Sequence, residues 1–262
     1  MAHEISLRGT FDEVAGVYDE VRPAYPEPLV EDLIRLSGIP AGGTILEVGC
    51  GTGQATLPFA RRGYPMLCLE LGPNLAALAA EHCRPYPNVI VENVSFEEWP
   101  LRRGQFDLVL SAAAFDWIPP DVGYPKAAAA LKGGGSLALL WNDHWGGDSP
   151  FFEAARELRR EMAMPTIDPA NDRSLDARLR EQESAIEALG LFGPVTVRRY
   201  PWSTAYTAER YAKLLSTYSM VRGLQPETRR DFLARIQELV ERFGGVVETR
   251  YLAVLGLTKV RR

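Results

Sequence analysis

The segment Glu47-Val48-Gly49-Cys50-Gly51-Thr52-Gly53 is where this chain is best suited to hold a small charged ligand, because an apolar strand runs without a break into three glycines at alternate positions. Glycine takes positive φ and lets a ligand lie against bare backbone, as a strand requires when it turns at once into a helix beside a cofactor. The dinucleotide spacing G-x-G-x-x-G fails in both registers, since Gln54 and Thr56 stand where the last glycine is needed. A nicotinamide oxidoreductase is therefore a distant reading. Glu70 closes the next apolar strand, seventeen residues past Gly53. A carboxylate at about this separation accepts hydrogen bonds from ribose hydroxyls in nucleotide-binding βαβ units, and the alternative is a solvated acid at a strand end.

The pattern E-x-G-x-G-x-G closely resembles the first motif of the class I S-adenosylmethionine-dependent methyltransferases. Further segments follow in the order seen in the small-molecule group of that superfamily, which contains trans-aconitate and ubiquinone-type methyltransferases. They are Tyr18-x-x-x-Arg22-Pro23-x-Tyr25-Pro26, Ser95-Phe96-Glu97-Glu98-Trp99-Pro100 and Phe106-Asp107-Leu108-Val109-Leu110-Ser111. The resemblance covers residues 10–142 and implies S-adenosylmethionine as cofactor. It implies that the motif residues Glu47, Gly49, Cys50, Gly51, Thr52 and Gly53, with Tyr18 and Arg22, surround that cofactor. It further implies Leu71 under the adenine ring and Phe96 on its other face. Many relatives carry aspartate at the position of Ser95, so the adenine amino contact falls to Ser95 or Glu97. Phe96 has a second reading as a core aromatic.

Two residues are candidates for proton chemistry. His144, in Trp141-Asn142-Asp143-His144-Trp145, follows the fifth expected strand and is the best general base, since histidine titrates near neutral pH. Asp116 follows Ser111 at the rim of the fourth strand, where relatives often have histidine before the tryptophan. It reads equally as a base or acceptor anchor and as a helix N-cap ahead of Ile118-Pro119-Pro120.

Strand-like and helix-like stretches alternate in the manner that builds a mostly parallel sheet with helices on both faces. Seven strands are expected, at 44–49, 65–70, 88–92, 105–111, 135–141, 194–201 and 249–258. Helices are expected at 54–62, 74–83 and 121–132, the last ended by Gly133-Gly134-Gly135. Residues 10–38 read as two lid helices, 11–20 and 28–37. Residues 142–246 read as a helical cap around the sixth strand, with helices at 151–163, 174–190, 208–218 and 226–243. The fold class is thus α/β, a Rossmann-like seven-stranded sheet, and residues 1–262 form one methyltransferase domain: lid 10–38, cofactor core 39–142, cap 142–246 and last strand 247–262.

A chain of 262 residues with 46% hydrophobic residues and a net charge of −5 is expected to be a globular enzyme without a broad basic face, which ranks nucleic-acid partners low. No apolar run approaches membrane-spanning length and no signal peptide is recognised, so a cytoplasmic protein without a membrane partner is expected. Cys50, Cys68 and Cys83 and the scattered His3, His82 and His144 show no metal-ligand spacing. The expected function is methyl transfer to a small-molecule acceptor. A non-catalytic protein that binds or senses the same donor shares Glu47, Gly49, Gly51 and Glu70 and stays open.

Overall fold

A computed structural model describes residues 8–144, 149–164 and 175–261; Trp145 and Ser174 lie outside them. Seven strands, β1 (Ile45–Val48), β2 (Met66–Glu70), β3 (Val89–Asn93), β4 (Phe106–Ala112), β5 (Leu131–His144), β6 (Thr196–Thr207) and β7 (Val246–Lys259), form one sheet in the order β3-β2-β1-β4-β5-β7-β6. Only β7 runs against its neighbours. The sheet is therefore mostly parallel, as the alternating pattern requires, and its order reverses between β1 and β4.

The central strands are apolar on both sides because both faces are covered. Leu46, Val48, Leu67, Leu69, Val109, Leu137 and Leu139 face one layer, which is completed by Tyr124, Ala127, Leu179 and Ile186. These come from α5 (Pro120–Ala130) and α7 (Leu175–Leu189). The alternate residues Ile45, Met66, Cys68, Leu108, Leu110 and Leu140 face a second layer holding Leu29, Leu33, Phe59 and Ala79. Those side chains belong to α2 (Glu27–Ser37), α3 (Thr56–Ala60) and α4 (Pro73–Cys83). A third apolar cluster lies beyond the sheet edge, where α6 (Pro150–Glu161), α8 (Ala208–Ser216) and α10 (Pro226–Arg242) pack together with Val21. The described chain contains no helix long and apolar enough to cross a membrane.

Several boundaries differ from expectation, each for a tertiary reason. The 11–20 helix is a 3-10 turn, Arg8–Val14, followed by the short α1 (Ala15–Val21). Asp12 is drawn instead to α4, where its Oδ1 accepts from the Asn74 and Leu75 amides at 2.8 and 3.0 Å. The glycines at 133–135 do not stop a helix but lie within β5, which starts at Leu131 directly after α5. At Gly135 an added Cβ would press within 3.1 Å of the Asp107 carbonyl, so this close strand approach excludes a side chain. The 208–218 helix breaks after Ser216, because the Thr217 carbonyl accepts from Arg22 rather than continuing the helix; a short α9 (Ser219–Arg222) follows. Strand β6 runs on to Thr207, since its polar end finds ladder partners down to Val246.

The start of β1 is tied to the start of β4 through Asp107. Its Oδ2 accepts from the Thr44 amide at 2.8 Å, the Thr44 hydroxyl at 3.1 Å and Lys132 Nζ at 2.7 Å. Burial pushes this carboxyl up, but those three donors outweigh it and hold its pKa below the ordinary value. A depressed folded-state pKa contributes stability above the unfolded carboxylate range and loses it as pH falls. Asp107→Asn should therefore cost about 1–3 kcal/mol of unfolding free energy near pH 7. In urea melts run at successive pH values, the gap between the two proteins should shrink on acidification through the carboxylate range.

Candidate functional site

At the carboxyl edge of the sheet, beside the order reversal where ligands settle in open α/β folds, the chain passes from β1 into the glycine turn. Gly49 and Gly51 hold φ of 69° and 58°, and a Cβ on Gly49 would sit 2.3 Å from that of Ala114. Gly49 thus lets the loop after β4 close against the turn. At Gly51 a Cβ would find Tyr18 at 3.8 Å, an ordinary contact, so the backbone conformation is what demands glycine there.

Glu70 organises this edge. Its Oε2 accepts from the Gly51 amide at 2.8 Å and its Oε1 from the Gly72 amide at 2.9 Å, so one carboxylate holds the loops after both β1 and β2. Leu71, next in sequence, is exposed at the rim, as a residue that meets a ligand ring would be. On the far side of the turn the Thr52 carbonyl meets His82 Nδ1 at 2.8 Å, and His82 Nε2 lies 3.3 Å from Asp19 of α1. Cys50 and Thr52 are buried within the turn.

Glu47 is fully buried in β1 beneath the turn. Its Oε2 accepts from the Thr56 hydroxyl at 2.6 Å and from Cys68 Sγ, while its Oε1 has no hydrogen-bond partner among the described residues. Burial raises its pKa from 4.5 to about 7, against the Thr56 and Cys68 bonds and with the help of the Glu70 charge. An unpartnered buried carboxylate oxygen is costly unless a cationic or donor group completes it.

The segment 18–26 arches over this floor. The Arg22 guanidinium lies between the rings of Tyr18 and Tyr218, 4.9 and 4.7 Å from their centroids, and donates to the Thr217 hydroxyl and carbonyl at 2.9 and 3.0 Å. Beyond it His144 shares a hydrogen bond with the Tyr218 hydroxyl and packs on Tyr251 at 4.7 Å. The Tyr251 hydroxyl in turn meets that of Tyr206 at 3.0 Å. The structure thus brings Tyr18, Arg22, Glu47, the glycine turn, Glu70, Leu71 and His144 to one edge.

Other candidates are engaged within the protein itself. Phe96 is a core residue, 2% exposed and stacked on Trp99 at 6.3 Å, so no face is left for a purine. Ser95 is a turn cap whose Oγ accepts from the Glu98 amide at 3.2 Å. Ser111 is buried and donates to the Val48 carbonyl at 2.8 Å, bonding β4 to β1. Glu97 is half-buried, with its carbonyl accepting from Lys126. Asp116 accepts from Trp141 Nε1 at 2.8 Å and from Gln182 Nε2 at 2.7 Å, which places it with α7 on the sheet face opposite His144. Nor does His144 titrate near neutrality. Desolvation, then Arg22 and Arg159, lower its pKa from 6.5 to about 4, so it is neutral at pH 7 and a weak base.

Comparison with known proteins accounts for the arrangement. Residues 45–135 match the family model described as a methyltransferase domain. Over those residues the chain is similar to methyltransferase domains. An uncharacterised methyltransferase of Mycobacterium tuberculosis is 29% identical over 133 residues, which make up 51% of this chain and 52% of the relative, so the chain spans about half of that protein's length. A solved protein of Anaeromyxobacter dehalogenans, assigned to the type II methyltransferases, superposes with a TM-score of 0.59 at 22% identity, over 92% of this chain and 97% of its own. Phosphoethanolamine N-methyltransferase 2 of Haemonchus contortus, solved with S-adenosylhomocysteine and phosphomonomethylethanolamine, gives 0.57 at 16% identity over 96% of this chain and 58% of its own. These likenesses show the fold.

Sequence reasoning passed over Asp12, His82, Arg159 and Tyr251. None carries a motif, and each acquires its place from a contact across many residues. The sequence reads Glu70 as a ligand anchor or as a solvated acid at a strand end, whereas the structure shows it holding two backbone loops. Hydrogen bonds to a charged group are worth about 1.5–3 kcal/mol each. Glu70→Ala should therefore lower the urea midpoint of the ligand-free protein, whereas a residue serving ligand alone would leave it unchanged.

Proposed function

We propose that this protein transfers a methyl group from S-adenosylmethionine to a small-molecule acceptor. The observation that carries the reading is the unpartnered, buried Glu47 Oε1 directly under a turn whose glycines stand at positive φ. A donor with a cationic amino-acid end supplies what that oxygen lacks. The residues fit such a group. Glu70 and the exposed Leu71 stand where the resemblance puts ribose and adenine, and Arg22 is a cation for the donor's carboxylate.

When bound, S-adenosylmethionine supplies an activated methyl, so that the acceptor atom bonds to the methyl carbon as the carbon–sulfur bond breaks and its electron pair stays on sulfur. What the chain contributes is placement and exclusion of water, which together supply several kcal/mol of barrier lowering. The segment 18–26 is pinned to the cap through Arg22 and to the glycine turn through Asp19 and His82, so it closes over the donor floor. Neutral His144 orients an acceptor by hydrogen bonding, alongside the Tyr218 hydroxyl, and is not the proton sink. The pH profile of kcat/KM should accordingly show no inflection near 6.5.

Glu47 provides the direct test. With its pKa raised to about 7 it is partly protonated at pH 7, and a cation bound beside it expels the proton. Calorimetric titration with S-adenosylmethionine at pH 7, in two buffers of different ionisation enthalpy, should reveal proton release, abolished in Glu47→Gln. A buffer-independent enthalpy would remove Glu47 from the donor site. Formation of S-adenosylhomocysteine across an acceptor panel tests turnover itself. Donor binding without turnover would instead favour a sensing role.

A further inference from the structure

His82 stands between the glycine turn and the segment that covers it. From the last turn of α4 its Nδ1 lies 2.8 Å from the Thr52 carbonyl, and its Nε2 lies 3.3 Å from Asp19 Oδ2 of α1. Both facing atoms accept hydrogen bonds and neither donates one, since a carbonyl oxygen and an ionised carboxylate carry no proton. A neutral imidazole has one N–H and one lone pair. Whichever nitrogen holds the proton, the other turns its lone pair on an oxygen. Only the imidazolium donates to both at once, and its bond to Asp19 is then reinforced by charge.

The other charges on the elements packed against α4 are engaged elsewhere. Helix α1 lays Tyr18 against Arg22 and ties Glu20 to Lys213 at 3.0 Å. The 3-10 turn directs Asp12 to the Asn74 and Leu75 amides and Glu13 to Arg222. Strand β2 places Glu70 on the Gly51 and Gly72 amides, β3 pairs Glu92 with Arg102 at 2.9 Å, and α3 carries no charged residue. Along the chain, Glu81 and Arg84 bracket His82 with opposite charges, and Cys83 is a buried thiol. The covering segment is thus held by carboxylate, ammonium and guanidinium groups, types that ordinarily titrate far from neutrality, and by one histidine, the type that changes charge near it.

We infer that His82 is a positioning residue for the donor site and a proton-dependent latch: its imidazolium joins α1 to the glycine turn, and loss of the proton gives up one of the two contacts. The closed arrangement holds the extra proton, so closure is favoured as pH falls and weakened as pH rises. The latch itself needs no ligand, while its effect on donor traffic rests on the methyl-transfer reading. The covering segment must lift for the donor to enter or to leave. Protonated His82 therefore slows both steps by the same factor and leaves donor affinity where it is.

The first measurement is amide hydrogen exchange of the full chain without ligand, read as protection factors over Ala15–Val21 so that the intrinsic pH dependence of exchange cancels. Protection should rise about two- to fivefold from pH 8 to pH 6, the scale of a partly exposed ion pair. His82→Asn, whose amide still donates to the Thr52 carbonyl but does not ionise, should show no such rise. Asp19→Asn should show none either, because an amide accepts from the imidazolium and donates to the neutral ring alike. The second measurement is stopped-flow exchange of S-adenosylhomocysteine. At pH 6 its association and release should both be about two- to fivefold faster in His82→Asn than in the parent, and at pH 8 the two proteins should agree. Level protection of the parent between the two pH values, a variant that keeps the parent's response, or equal exchange rates at pH 6 would each overturn the inference. A protein that shows the pH response yet binds no S-adenosylhomocysteine keeps the latch and overturns the methyl-transfer reading instead.

Discussion

One carboxylate sets the geometry of the site edge. Glu70 accepts from Gly51 on the loop after β1 and from Gly72 on the loop after β2, so the relative position of the two loops is decided before any ligand arrives. Hydrogen bonds to an ionised acceptor are short and directional. They hold Gly51 in its left-handed conformation and leave Leu71 standing free at the rim. Everything that closes on the site from outside, including Tyr18 over Gly51 and Asp12 on the first turn of α4, packs against a floor that this side chain has already shaped.

The covering segment is joined to both halves of the molecule. Asp12 and Asp19 reach the cofactor core through α4 and His82, while Arg22 and Val21 reach the cap through Thr217 and its apolar cluster. Residues 10–26 therefore couple the core to the cap in one continuous stretch of chain. A change in the core that moves α4 is felt by Asp12, and a change in the cap that moves Thr217 is felt by Arg22.

Charge is distributed unevenly along the cleft. Beneath the glycine turn lies a buried carboxyl whose pKa burial raises to about 7, and in the segment above it the Arg22 guanidinium lies over the rings of Tyr18 and Tyr218. A zwitterionic, sulfonium-bearing donor suits the acidic end and Arg22 together.

The sheet, its seven strands and the cofactor turn were legible in the sequence because they depend on local chemistry. Strands covered on both faces must be apolar in unbroken runs, and a strand that turns at once into a helix beside a ligand must use glycine. Those demands act on neighbouring residues and are written in them. The roles of the polar side chains were decided by tertiary structure. Ser95, Phe96, Ser111 and Asp116 have the right types at the right separations for a site, yet each is directed into a cap, a core, a strand pair or a tryptophan bond. Whether His144 is a base depended first on its desolvation and then on Arg22 and Arg159, respectively 122 residues before it and 15 after it in the chain. A side chain's direction and its pKa are set by what surrounds it in space, and only folding brings those surroundings together.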